Sequence, residues 1–495
     1  MTAVLHAEWT KFRTVRGWVI GLLIAAGVTM ALGLGPGMTG SCNSATCALT
    51  LGPTGVPVTD SFYFVRRPLD GTGTITARVT SLTGRLTEPG PGTRPGLMPW
   101  SKAGIIIKAS TAQGSAYAAM MVTGGNGVRM QYDYTGDIAG RPGRVSAAAP
   151  RWLRLARDGD TITGYDSADG RRWTRVGTVR LPALPATVQG GLFATSPEYA
   201  STGFSTASVS GGLSQDTGVL DHVRLAGGWA GRRWAGQDIG AFGGPAPGPS
   251  TGFRQAAGVF TVTGTGDIAP VVTGANGLGT TIAQTLIGTF AGLIAIVVVA
   301  AMFMTAEYRR GLIRVTLAAS PRRGRLLAAK AGVIGAVTFV TSLVSSAVVV
   351  VVGQRVLRAG GVFVFPVTAL TEVRVIAGTA AVLALAAVLA LALATVLRRG
   401  AAAVTAAIVV IVLPYLLTVA APVLPLAAQD WLLRVTPAAA FAVQATLPQY
   451  HQVTNVYAAQ AGYFPLAPWA GLAVLAAWTA AALALAAWTL SRRDA

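Results

Sequence analysis

The sequence predicts a mixed fold: an α-helical multi-pass membrane bundle of six transmembrane helices, with an all-β jelly-roll or sandwich domain inserted into it. Three observations predict this. Apolar residues make up 52% and charged residues 12% of 495, with a mean hydropathy of +0.54; a soluble protein carries roughly 25% charged residues. Six charge-free apolar stretches approach the ~20 residues that an α-helix needs to cross ~30 Å of hydrocarbon. The long segment between the first two holds 14 of the 19 acidic residues and most of the turn-forming Gly and Pro. These properties exclude a disordered chain and argue against an ordinary soluble enzyme.

The elements follow in chain order. Leu5, Trp9 and Phe12 fall at i, i+4 and i+7 and form one apolar stripe, with Lys11 and Arg13 off it. Such a helix lies in the membrane interface, with its cations toward lipid phosphates. The six spans are expected at 18–34, 282–304, 331–352, 375–397, 401–424 and 469–490. A secretory signal also has a basic start and a short apolar run. The length of the first run and the poor cleavage site at 35–37 favour a span. The organisation is therefore 1–34 for the interfacial helix and first span, 35–281 for the β domain, and 282–495 for spans two to six.

Charge placement gives the orientation. Lys and Arg are retained on the cytoplasmic side. With the N-terminus inside, inner segments carry fourteen Lys and Arg and the short outer loops four, Arg355, Arg358, Arg374 and Arg434. Both termini are then cytoplasmic and the β domain extracellular, in the cell (plasma) membrane. The net charge of +20 is largely topological and needs no nucleic acid.

Within 35–281 the pattern is β. Strands at 152–157, 161–165 and 173–179 are joined at Asp158-Gly159 and Asp169-Gly170, dipeptides that permit the positive φ of tight hairpins. Asp166 and Asp169 shape the second turn. Trp152 and Trp173 read as core. Met130, Tyr132 and Tyr134 alternate and so share a face; Tyr132 and Tyr134 are candidate glycan contacts, with sheet packing the alternative. Cys42 and Cys47 lie just beyond the first span, where their spacing permits a disulfide; free thiols and a metal site are the alternatives.

Several of these stretches resemble concanavalin A-like lectin/glucanase jelly rolls: Asp60–Phe64, Gly73–Val79, Lys102–Ile106, Trp152–Leu155, Gly164–Gly170 and Asp221–Leu225. Catalytic members carry paired carboxylates in an E-x-D-x-x-E pattern. Here the domain's glutamates, Glu88 and Glu198, are far apart, which argues against glycan hydrolysis. In that family a strand like 258–264 usually opens the domain. Its position here implies that it completes the sheet from the C-terminal side, as in a circular permutation, and brings the domain's two ends together.

The loop at 305–330 is short and basic, with one acid, Glu307. Gly311 and Ser320-Pro321 punctuate a short helix between them. The amphipathic start, the E-x-x-x-G and S-P-x-R elements, Lys330 and the six-span count resemble the permease subunit of type-2 ABC exporters. The matching residues are Glu307, Gly311, Ser320, Pro321, Arg323 and Lys330, with Arg309, Arg310 and Arg314 supplying the basic surface. The resemblance implies a dimer with a second permease copy or paralogue, and a coupling loop seated on an ABC ATP-binding subunit. This chain has no G-x-x-x-x-G-K-[ST] phosphate loop. ATP and Mg are therefore expected on the partner, with no cofactor or enzyme activity here.

On the third span Thr338, Thr341, Ser342 and Ser345, with Ser346, recur at helical spacing. They offer a translocation path, or small side chains that let helices approach closely. Pro414 and Pro422 bend or end the fifth span. The segment 425–468 is too polar to cross and holds a short interfacial helix around 431–434. The expected function is an exporter permease of unassigned substrate; the alternative is a membrane-anchored extracellular glycan-binding or sensing protein, partnered by cell-envelope glycan, without transport.

Overall fold

The structure is a computed structural model that describes residues 2–39, 49–88, 92–182, 184–202, 209–231, 233–240, 250–273, 279–309, 323–421 and 423–492. Cys42 and Cys47 lie outside these residues. So do Arg310, Gly311, Arg314, Ser320 and Pro321, and with them the short helix expected between 311 and 320.

Among the described residues, six helices are long and apolar enough to cross a membrane: Arg16–Gly35, Ile282–Arg309, Arg323–Ala359, Ala369–Leu397, Gly400–Val419 and Pro468–Arg492. The third begins at Arg323 rather than at 331, because helix propagates through the basic turn ahead of the apolar run. The fourth span is the hub. It packs on the second, third, fifth and sixth, and Leu383, Ala386, Ala387 and Ala390 lie within the shared apolar core. Close approach needs small residues. At Gly33 an added Cβ would lie 2.8 Å from the Thr285 carbonyl oxygen, which is why a Gly-rich first span can lean on the second.

The fifth span is irregular around Pro414. Ile408–Val412 and Leu416–Ala420 are π-helical turns. Proline has no N–H to donate, so the ladder must be rearranged there. Beyond it, Leu426–Val435 forms the expected short helix, with Trp431 65% exposed. The next piece was not anticipated. Pro437–Gln444 is a 3-10 helix whose every residue is buried. It turns back into the bundle against the fourth and sixth spans.

The β domain is a nearly closed antiparallel sandwich. Phe62–Thr87 runs through both halves, pairing with Thr187–Thr195 near its start and with Arg151–Asp158 and Ser214–Trp229 further along. The predicted meander is present: Arg151–Asp158, Thr161–Ser167 and Thr174–Arg180 pair in sequence. Val259–Thr265 pairs with Ser214–Trp229, so the late strand does join the sheet. Val58–Asp60 pairs with Ile268–Pro270, which brings entry and exit side by side.

That junction is pinned by two buried cations on one strand. Lys102–Lys108 is buried throughout. Lys108 Nζ donates to Asp60 Oδ2 at 2.7 Å, and Lys102 Nζ to Asp267 Oδ1 at 2.6 Å. Burial pulls the Lys108 pKa down, and the opposing Asp60 carboxylate only partly offsets it. Of the two aspartates expected to shape the second turn, Asp169 does so, whereas Asp166 is buried within the strand Thr161–Ser167 and accepts from the Arg141 backbone N–H at 2.7 Å. Asp169 accepts from the Arg171 and Arg172 backbone N–H groups at 2.8 and 2.9 Å, and these bonds hold its pKa at about 2.

Two further domain expectations are corrected. Trp152 and Trp173 are only half-buried, on the outer face. Arg78 and Arg154 lie over their rings, at 5.6 and 3.9 Å from the centroids. The inward positions of that strand are Leu153 and Leu155, both fully buried. Tyr132 and Tyr134 do not share an open face. The strand ends at Tyr132, and Asp133 and Tyr134 take positive φ of 43° and 67°. Tyr134 is 1% exposed and donates to Asp60 Oδ2 at 2.8 Å, so it presents no ring to a sugar.

The wedge of Pro437–Gln444 generates a prediction. A Cβ at Gly471 would sit 2.1 Å from the Ala439 carbonyl oxygen, whereas one at Gly332 meets nothing within 4 Å. Gly471→Ala should cost about 1–3 kcal/mol by overpacking. Thermal unfolding of the purified protein should fall for Gly471→Ala and hold for Gly332→Ala; equal melting would refute the wedge.

Candidate coupling site

The site lies at the end of the bundle away from the β domain, where the N-terminal helix meets the second and third spans. Its sequence elements are unusual in one respect. Glu8 is the only acid before Asp60, in a segment otherwise basic. In the helix Thr2–Thr14 the buried positions are Glu8 and Phe12.

Glu8 turns inward to meet Lys330. Lys330 Nζ donates to Glu8 Oε2 and to Glu307 Oε1, both at 2.7 Å. Lys11 Nζ closes the ring, donating to Glu8 Oε1 at 2.7 Å and Glu307 Oε1 at 3.2 Å. Two cations and two carboxylates therefore balance in charge. Lys330 is fully buried and Glu8 is 1% exposed. The ammonium also lies 4.7 Å from the Phe303 ring centroid, a cation–π contact of use where water is excluded. Phe12 and Trp18 each meet Phe303 edge to face, at 5.8 and 5.9 Å.

Energetically this is a lock rather than a source of net stability. Burying charges costs several kcal/mol per ion, and the pairs roughly offset it; removing one partner leaves the rest uncompensated at about 3–5 kcal/mol. Burial lowers the Lys11 pKa, but the bonds and charges of Glu8 and Glu307 outweigh it, leaving the value above 10.5. The Lys11 contribution is therefore complete below about pH 10.5 and lost as pH rises through the raised pKa. Lys11 is 43% exposed, so that contribution is small beside that of Lys330.

The network joins the N-terminal helix to the two spans that flank residues 310–322 in the chain. Glu307 stands near the end of the second span and Lys330 in the first turns of the third. Nearby, Arg323 Nη1 donates to the Leu490 carbonyl of the sixth span, and the Arg398 guanidinium lies 5.5 Å from the Tyr308 ring centroid. Arg309 is exposed at the helix end.

Sequence reasoning singled out Glu307 and Lys330 but missed Glu8 and Lys11 as their partners. The signal was present, since an isolated acid four residues before Phe12 shares its helical face. Of the apolar stripe, Phe12 is 3% exposed and packs into the bundle, while Leu5 and Trp9 are 42% and 41% exposed, the placement of side chains available to lipid at an interface. The third-span hydroxyls are packed: Thr338, Ser342, Ser345 and Ser346 are buried, and Ser345 bonds back to Ser342 O at 3.2 Å. Thr341 is half-buried and bonds back to Val337 O. Small buried hydroxyl side chains of this kind let helices approach closely.

A family model described as "ABC-2 family transporter protein" matches residues 111–495. No curated protein matches the chain. Solved structures resemble parts of it. One is a functionally unknown Saccharomyces cerevisiae protein (15% identity, 36% of this chain and 80% of that chain, TM-score 0.23). A GH43 protein from Bacillus licheniformis is 14% identical over 25% of this chain and only 24% of its own, with TM-score 0.18. The Griffonia simplicifolia lectin I-B4 is 10% identical over 31% of this chain and 82% of that chain, with TM-score 0.18.

Replacing Lys330 with Met should leave Glu8 and Glu307 sharing Lys11 alone, with one buried negative charge uncompensated, at a cost of about 3–5 kcal/mol. The expected result is a lower melting temperature and an N-terminal helix newly open to protease. Unchanged melting with the helix still protected would refute the lock.

Proposed function

Because the chain belongs to the ABC-2 family of transporter proteins, we propose that it is the membrane-spanning permease subunit of an ATP-driven exporter. A separate ATP-binding subunit supplies hydrolysis. In this reading the basic end of the bundle faces the cytoplasm in the plasma membrane, and the β domain stands outside. A second copy or paralogue completes the transporter.

The observation that supports the reading best is the Glu8–Lys330–Glu307 network. It braces both flanks of residues 310–322 against the N-terminal helix. A partner pressing on that loop acts on a framework stiffened by buried ion pairs, so displacement passes to the second and third spans rather than dissipating in a slack turn. The sensing alternative loses one of its two named sugar contacts, since Tyr134 is buried, while Tyr132 is half-buried.

Pull-down from native membranes should recover a phosphate-loop ATPase. Combined Arg309→Glu, Arg310→Glu and Arg314→Glu should abolish stimulation of that ATPase while membrane insertion stays normal. Normal transport by the triple variant would refute the coupling assignment.

A further inference from the structure

Three cavities line up at the β-domain end of the bundle. The first, ≈ 500 Å³, lies among the ends of the spans, with Leu286, Ile287, Leu357, Val419 and Phe464 in its wall. The second, ≈ 590 Å³, shares Gly462 and Phe464 with the first and adds Asp430, Arg434 and Tyr457. The third, ≈ 480 Å³, shares Gln449 with the second and lies beneath the β domain, against Trp100, Arg129 and Asp137. Each is of the size that holds a small ligand. The shared walls make them neighbours, and the lining changes from apolar in the first to more polar in the second and third.

The charge in the polar part is balanced. Arg129 bonds Asp137 through Nε at 3.1 Å, and Asp430 shares its cavity with Arg434. A ligand carrying net charge would find no surplus counter-charge there. Tyrosines form the partition instead. Tyr457 donates to the Tyr450 carbonyl at 2.9 Å and meets the Tyr463 ring edge-on at 4.7 Å. Tyr rings present an apolar face beside a hydroxyl, which suits a ring bearing many hydroxyls. The wall between bundle and β domain is also held in register: Gln452 donates to the Thr135 carbonyl at 3.1 Å, and Asn455 to the Thr273 carbonyl at 2.8 Å.

We propose that the three cavities form one route for an amphiphile, with its apolar chain held among the spans and an uncharged, hydroxyl-rich head received under the β domain. This inference rests on the transport reading and names its substrate class. The β domain then acts as the far wall of the substrate's exit rather than as a separate appendage.

The test uses the full chain in phosphatidylcholine nanodiscs without any ATPase, so its outcome is independent of coupling and of the pull-down above. The probe is dodecyl maltoside with a photoactivatable diazirine in its chain. Crosslinks should map to residues 284–287 and 415–419. Excess dodecyl maltoside should compete, while maltose and dodecyl phosphate should not. Gln449 is exposed, so Gln449→Trp should fold normally, block the shared wall and cut labelling about tenfold; Gln449→Ala should retain it. Full labelling of a normally melting Gln449→Trp would overturn the proposal. Competition by maltose would overturn it in favour of a soluble saccharide, and equal competition by dodecyl phosphate in favour of the chain alone.

Discussion

A lysine ammonium with no solvent contact, held by carboxylates from two distant parts of the chain, fixes the architecture of one end of this bundle. Lys330 is bound by Glu8, 322 residues away, and by Glu307, 23 residues away. A buried charge tolerates no half-measures: either every partner is in place or the unpaired ion disrupts the packing around it. The position and rotation of the N-terminal helix follow from this. It turns Glu8 inward with Phe12 and leaves Leu5 and Trp9 outside the bundle.

The same physics recurs at the other end. Lys102 and Lys108 cap opposite ends of one buried strand, and each holds an aspartate beside the domain's entry or exit. An inserted domain must begin and end close together, and here two ion pairs and the pairing of Val58–Asp60 with Ile268–Pro270 bring that about. The buried Pro437–Gln444 segment extends the tie. It is wedged against Gly471 of the sixth span, and the residues after it contact the β domain through Gln452 and Asn455. Domain and bundle thus share walls, which matters for any cargo that leaves between them.

The spans were legible because twenty apolar residues without charge have few alternatives, and the meander because Asp-Gly turns set its hairpins. Glu307 and Lys330 were legible only through family resemblance. Their partner was not, since Glu8 looks like a stray acid until the helices place it beside Lys330. Tyr134 misled for a local reason: alternation stops at Asp133, whose positive φ turns the chain inward. Trp152 misled because aromatic residues usually seek the core, whereas here an arginine covers each ring. Pro437–Gln444 was hidden because an eight-residue apolar stretch is too short to signal a membrane element.

A double-mutant cycle between Glu8→Gln and Lys330→Gln addresses the lock most directly, read by chemical unfolding of the protein in one detergent. If the two side chains act as one unit, the double variant should be more stable than the summed losses imply, with a coupling energy of at least about 1 kcal/mol. Losses that add to within about 0.3 kcal/mol would mean that the two groups do not depend on one another, and the account of the coupling end would fall.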